Sequence, residues 1–250
     1  MKIKKILVSQ PQPQDTSSAY YTIAEKYKVK LDFRPFIKVE PIFAKEFRTQ
    51  KVNLADATAI IFNSRTGIDH FFRLCEEMRY KVPDTLKYFC TSEAIGHYLQ
   101  KYIQYRKRKV FFGDGRWESL IAIINQHRDE AYLVVLPDND NAAPLAQLRK
   151  SGLKYQVGLM YRTVSNDFGP DEEFNYDMLI FFSPQGINAL IKNFPDFKQG
   201  EVCIGCLGKS TAAVAREAGL RLDLEVPNAK FTSMAAALDD FVKENHKARR

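Results

Sequence analysis

The chain has 250 residues, 45% of them apolar and 27% charged, a balance that excludes extended disorder and fits two domains of about 125 residues. No run reaches the ~18 consecutive apolar residues of a transmembrane helix, and the apolar stretch after the basic start is too short for a signal peptide, so a cytoplasmic protein without membrane contact is expected. The 37 Lys and Arg against 30 Asp and Glu leave a net charge of +7, which favours an acidic ligand, and the four Cys read as reduced thiols, not as a disulfide framework.

In chain order, Ile3–Ser9 predicts a first strand and Ser18–Tyr27 a first helix. Leu31–Val39 reads as one extended segment, with a helix over Ala44–Gln50. Four strand–helix pairs follow: Ala59–Phe62 with Thr66–Arg79, Tyr88–Cys90 with Ser92–Tyr102, Val110–Phe112 with Trp117–His127, and Tyr132–Leu136 with Ala142–Ser151. Tyr155–Val164 is unusually long for a strand. Met178–Phe182 with Pro184–Asn193, Val202–Ile204 with Lys209–Ala218, and Leu222–Val226 with Thr232–Asn245 complete the pattern. This alternation predicts α/β layers with mainly parallel sheets. Apolar runs such as Ile60-Ile61-Phe62 and Leu179-Ile180-Phe181-Phe182 suit strands buried on both faces.

The chain repeats itself once. Ile60-Ile61-Phe62-Asn63-Ser64-Arg65-Thr66-Gly67 lines up with Leu179-Ile180-Phe181-Phe182-Ser183-Pro184-Gln185-Gly186. A period near half the chain implies two similar domains and not a solenoid. Leu31–Val39 and Tyr155–Val164 read as paired strands crossing between them. The expected architecture is therefore two similar parallel-sheet α/β domains joined by a two-stranded β linker. The first is discontinuous, residues 1–37 with 164–250, and the second, 38–163, is inserted into it.

Chemistry is expected at strand–turn–helix corners, because open α/β sheets bind ligands at the C-terminal ends of their strands. Ser183-Pro184-Gln185-Gly186 is one such corner, and its Ser and Pro also suit plain helix capping. Ser64-Arg65-Thr66 is its counterpart, with Arg65 offering a fork to a carboxylate. Gly208-Lys209-Ser210-Thr211 resembles the end of a P-loop, but that loop requires glycine where Cys203 stands. What survives is a helix N-terminus suited to an anion, or a plain cap by Ser210 or Thr211. The Ser64, Ser183 and Gly208–Thr211 corners are expected to line one cleft. Cys203 and Cys206 have redox-like spacing, yet the first lies inside a strand, so both read as packing. His70, His97, His127 and His246 share no ligand spacing, so neither a metal nor a histidine-based triad is expected. The basic run Arg106-Lys107-Arg108-Lys109 reads as a solvated helix end.

Phe181-Phe182-Ser183-Pro184-Gln185-Gly186, Met160-Tyr161-Arg162-Thr163, Gly208-Lys209-Ser210-Thr211-Ala212 and Glu225-Val226-Pro227, in this order, resemble the uroporphyrinogen-III synthase family. The resemblance implies two α/β domains joined by a two-stranded ladder. It also implies closure of hydroxymethylbilane, a polycarboxylate, to uroporphyrinogen III with inversion of ring D and loss of water. That is hydro-lyase chemistry of haem biosynthesis, without cofactor, metal or nucleic acid, in a monomer. Tyr161 matches the family's tyrosine that assists loss of the hydroxyl, and is expected to present an exposed hydroxyl. Ser183 and Thr211 match its substrate-facing Ser and Thr. The chain departs from the family at Ser9-Gln10-Pro11, which lacks a usual Arg, at Thr91-Ser92-Glu93, where Glu93 would repel a carboxylate, and at Lys209, which replaces a Pro. A non-catalytic two-lobed binder or sensor of an anionic metabolite is the alternative, and a nucleic-acid-binding protein a third, resting on the net charge and the basic run.

Overall fold

A strand with no polar alternate must be covered on both faces, and two such apolar runs, Ala59–Phe62 and Met178–Phe181, occupy central positions in two sheets. The computed structural model describes residues 3–138 and 142–247. The chain forms two compact units, Met1–Lys38 with Val164–Arg250, and Val39–Thr163.

The discontinuous unit holds strands β1 (Lys5–Val8), β2 (Lys30–Phe33), β9 (Met178–Phe181), β10 (Cys203–Leu207) and β11 (Leu224–Val226), in the order β11-β10-β9-β1-β2. Every adjacent pair is parallel. All four residues of β9 are buried. Met178 and Ile180 enter the core beneath α1 (Ala19–Tyr27) and α9 (Met234–Lys247). Leu179 and Phe181 enter the opposite core, beneath α7 (Pro184–Asn193) and α8 (Lys209–Glu217). This is the alternation that a two-residue side-chain period demands.

The inserted unit repeats the plan. Its sheet contains β3 (Ile37–Pro41), β4 (Ala59–Phe62), β5 (Lys87–Cys90), β6 (Val110–Phe112), β7 (Tyr132–Pro137) and β8 (Tyr155–Ser165), ordered β3-β8-β7-β4-β5-β6. The four contacts from β8 to β6 are parallel. Ile60 and Phe62 of β4 pack under α3 (Arg65–Glu77), whereas Ala59 and Ile61 pack on the other face against α5 (Trp117–Ile124) and α6 (Ala142–Ser151). Setting β3 aside, β8-β7-β4-β5-β6 corresponds to β2-β1-β9-β10-β11. Each sheet thus has the 2-1-3-4-5 order, the inserted one as a circular permutation.

Two expectations are corrected. Leu31–Val39 is not one strand. It breaks at Arg34-Pro35-Phe36, where proline supplies no N–H, and yields β2 of one sheet and β3 of the other. The helices expected over Ala44–Gln50 and Ser92–Tyr102 are shorter, α2 (Ala44–Phe47) and α4 (Glu93–Tyr98), each ending in a 3₁₀ turn. Cys203 and Cys206, three residues apart on β10, point to opposite cores, and burial pushes the Cys206 thiol up to about 12.

The break at Pro35 is held by Arg34. Its guanidinium forks onto Glu172 at 2.7 and 3.0 Å and donates to the carbonyls of Pro35 (2.7 Å), Asn166 (3.2 Å) and Asp167 (2.9 Å). It also lies 4.1 Å from the Phe168 ring centre. Arg34→Ala is expected to lower stability by about 1–3 kcal/mol, read from urea unfolding. Arg34→Lys, lacking the planar fork, should recover less than half of that loss.

Candidate functional site

In an open parallel sheet the helices that follow two adjacent strands can leave toward opposite faces, and the strand ends then frame a crevice. In the inserted unit this happens between β4 and β7: α3 covers one face of the sheet and α6 the other. In the discontinuous unit it happens between β1 and β9, with α1 and α7 on opposite faces.

At the β4 end, Ser64 is the N-cap of α3 and its Oγ accepts the Gly67 N–H at 3.0 Å. The same oxygen lies 3.0 Å from the Tyr161 hydroxyl, and either group can donate. Tyr161 reaches this point because β8 runs for 11 residues. Its residue pairs with Pro137 across a register shift at the end of β7, and its carbonyl accepts the Asp138 N–H at 2.7 Å. The exposed Tyr161 hydroxyl expected from sequence is not found. Tyr161 is 6% exposed, because α3 lies over it. Burial raises its phenol above the ordinary value, and the Ser64 hydrogen bond offsets this in part. The phenol is therefore protonated at neutral pH, a donor and not a base.

The cations around this corner fall into two classes. Arg162 is engaged by Glu46 and lies 3.7 Å from Asp138. Arg65 is exposed, with its guanidinium 5.4 Å from the Tyr98 ring centre, and no described carboxylate pairs with it. Thr66 is half-buried beside it. On the neighbouring strand end, Glu93 is exposed and meets His97 at 3.3 Å, an i,i+4 contact within α4.

The discontinuous unit has the matching corner. Ser183 caps α7 with φ −152° and ψ 154°, against −154° and 155° at Ser64. Its Oγ accepts the Gly186 N–H at 3.3 Å. Pro184 occupies the first helical turn, Gln185 is half-buried and Gly186 is buried. Ser9 adjoins this corner, its N–H bonded to the Ile180 carbonyl at 2.9 Å.

One strand over, α8 is capped neither by Ser210 nor by Thr211. The N-cap is Gly208, at φ 90° and ψ 142°, with its N–H on the Val226 carbonyl at 2.6 Å. Lys209 and Ser210 are exposed, and no described carboxylate pairs with Lys209. Thr211, expected from the resemblance to face the substrate, is buried, 1% exposed. What it offers at the corner is one of the backbone N–H groups that the first turn of a helix leaves without an intrahelical acceptor.

Sequence reasoning missed His70, dismissed for lack of a metal-ligand spacing, and Arg73. The His70 ring stacks on Tyr161, centroids 5.1 Å apart and planes 15° from parallel. Arg73 Nε donates to His70 Nδ1 at 3.3 Å. The available signal was spacing: Ser64, Gly67, His70, Arg73 and Glu77 recur every three or four residues, one face of a helix. The basic run lies at the other end of the sheet. The Lys109 carbonyl accepts the Tyr88 N–H at 2.7 Å where β5 begins. A cavity of about 330 Å³ there is lined by Tyr88, Tyr102, Arg106 and Lys109 among others, away from the strand-end corners. Among the described residues no group of three or more His, Cys, Asp or Glu could hold a metal ion, and no helix is long and apolar enough to cross a membrane.

Residues 18–236 match the family described as Uroporphyrinogen-III synthase HemD. Two solved structures share the fold. One is a uroporphyrinogen-III synthetase from Helicobacter pylori, with TM-score 0.58, 14% identity, and 99% of this chain and 100% of that chain covered. The other is a mutant uroporphyrinogen III synthase from Thermus thermophilus, with TM-score 0.56, 14% identity, and 98% and 100% covered. No curated protein matches the chain by sequence.

The Gly208 corner depends on a backbone conformation close to one that only glycine adopts without strain. Gly208→Ala is expected to cost about 1–3 kcal/mol in stability, measured by urea unfolding. A loss below 0.5 kcal/mol, roughly the scatter of ordinary surface substitutions, would show that the turn relaxes freely.

Proposed function

The chain belongs to the uroporphyrinogen-III synthase family, and from that premise we propose that it converts hydroxymethylbilane to uroporphyrinogen III, inverting ring D and releasing water. In this reading it is a cofactor-independent hydro-lyase, acting as a cytoplasmic monomer on a small-molecule polycarboxylate. Strands β3 and β8, neighbours at the edge of one sheet, serve as the two-stranded linker between residues 1–37 with 164–250 and residues 38–163.

The observation that carries the mechanism is the buried Tyr161 phenol, neutral and hydrogen-bonded to Ser64 at a strand-end crevice. The linear substrate carries a hydroxymethyl group on an electron-rich pyrrole. Its C–O bond breaks when the ring pushes electrons toward carbon and negative charge collects on the departing oxygen. A phenol donating to that oxygen stabilises the developing charge and passes its proton as water leaves. Ser64 Oγ already accepts from Gly67, so its own proton is free to point at the Tyr161 oxygen and support the phenolate character that grows there. The proton released from carbon when the macrocycle closes restores the phenol.

The carboxylates need cations and N–H donors. Arg65 and Thr66 beside Ser64, Ser183, Pro184, Gln185 and Gly186 at the second corner, and Gly208, Lys209, Ser210 and the Thr211 N–H at the third are the proposed contacts. Arg65 and Lys209 suit the task because they are exposed at helix starts without a described carboxylate partner. Each helix N-terminus adds about 0.3–1 kcal/mol per anion, so several contacts must act together.

Tyr161→Phe tests the assignment. Its turnover of hydroxymethylbilane should fall roughly 10-fold or more, near the low end of general-acid effects. The residual product should still be isomer III, because ring inversion comes from how the chain is held. Stability should drop by only about 1 kcal/mol, since Ser64 keeps its bond to Gly67. An unchanged rate would reduce Tyr161 to packing. If the wild-type protein binds hydroxymethylbilane but yields only isomer I, the chain is a binder and the synthase reading is lost.

A further inference from the structure

We propose that His70 and Arg73 of α3 are positioning residues for Tyr161, holding the phenol from behind while Ser64 engages its hydroxyl. The inference rests on Tyr161 being the group that assists departure of the hydroxyl, as argued above.

The contacts form a closed circuit on one helix. Gly67 N–H meets Ser64 Oγ, Ser64 meets Tyr161, Tyr161 stacks on His70, and His70 Nδ1 accepts from Arg73. Arg73 is itself fixed at other points, donating to Glu77 at 2.8 Å and to the Ile42 carbonyl at 2.7 Å. Glu77 in turn accepts the Ala44 N–H at 2.9 Å. A side chain anchored this way has one orientation to offer His70, and His70 has one orientation to offer Tyr161.

The bond from Arg73 also selects a protonation state. Nδ1 can accept only if it carries a lone pair, so the ring proton sits on Nε2 and the imidazole is neutral. Protonating Nδ1 would set one N–H against another. The groups facing His70 agree: burial and the Arg73 charge hold its pKa below 6.5, while Asp69 acts weakly the other way. The Asp69 carboxylate is itself occupied by Tyr98 at 3.0 Å, Lys101 at 2.9 Å, and Tyr102. Tyr161 is neutral. As pH falls through the His70 titration, the ring gains a proton, the Arg73 bond is lost and the phenol loses its backing. Because the unfolded chain binds that proton more readily, stability also falls as pH drops below 6.5.

A positioning role acts on the transition state more than on binding, so it appears in kcat and not in KM. With hydroxymethylbilane as substrate, His70→Ala should lower kcat about 5- to 10-fold with KM within about 2-fold. In a Tyr161→Phe background the same change should cost less than 2-fold, because its effect runs through the phenol. His70→Phe keeps a ring against Tyr161 and removes the titrating nitrogen. It should recover most of the rate at pH 7.5 and abolish the decline in kcat expected of the wild type as pH falls below 6.5. Independent effects of His70→Ala and Tyr161→Phe, or the same acid decline in His70→Phe, would overturn the inference. A second measurement does not need turnover. Nitrogen NMR of the wild-type protein should show His70 neutral at pH 7, protonated on Nε2, and titrating below 6.5. A His70 protonated on Nδ1, or titrating above 6.5, would overturn the inference even if isomer III is made. Absence of isomer III with the expected His70 spectrum would instead remove the synthase reading and leave the circuit standing.

Discussion

One oxygen atom ties the inserted unit's fold to its chemistry. Ser64 Oγ ends the orphan state of a helix N–H at Gly67 and, with its remaining capacity, meets Tyr161. A serine cap accepts one bond from the helix and still has a proton to give. An aspartate cap would satisfy the helix equally well, but it could only accept, and would hold the phenol's proton instead of freeing it. A hydroxyl cap is what allows the polarity of α3's first turn to reach the tyrosine. The requirement extends outward. Ser64 sits at the end of β4, β4 is central because all four of its residues are buried, and Tyr161 meets it because β7 lies between β4 and β8.

The two units share a plan but differ at one corner. Ser64 and Ser183 cap their helices with nearly the same dihedrals, and Gly67 and Gly186 supply the N–H groups they accept. The difference arises at the strand that would carry a tyrosine. β8 runs for 11 residues, whereas its counterpart β2 has four and gives way to Arg34-Pro35. Proline cannot donate to a ladder, and Arg34 commits the chain to a turn through Glu172 and three carbonyls. The same corner is a serine cap in both units, and in the inserted unit a tyrosine hydroxyl meets that cap.

The sequence carried the fold because two-sided burial leaves an unambiguous trace: Ile60-Ile61-Phe62 and Leu179-Ile180-Phe181 have no polar alternate, and both became central strands. Caps were harder to read. Ser64 and Ser183 were legible as strand-end serines before glycines, but Gly208 was obscured by the hydroxyls that follow it, since its role rests on a backbone angle and not on a side chain. Thr211 looked available because residues next to a turn usually are, yet its burial is decided by how α8 packs. His70 and Arg73 were missed for a related reason. Histidines were weighed against one another as ligands, whereas this one matters for a ring 91 positions away in sequence, and nothing local marks that meeting.

Charge makes a similar distinction between amount and arrangement. The excess of +7 looked like the property that would attract a polycarboxylate, but much of it is elsewhere. The Arg106–Lys109 run lies at the N-terminal end of its sheet, and Arg162, the cation next to Tyr161 in sequence, is engaged by carboxylates. Arg65 and Lys209 are different because each is exposed at a helix start, beside N–H groups that favour an anion, with no described carboxylate paired to it. Glu93 shows the reverse case. It too stands in the first turn of a helix, where a negative charge is favoured, and it is exposed and meets His97 at 3.3 Å. The same charge that suits α4 opposes any anion brought to that strand end.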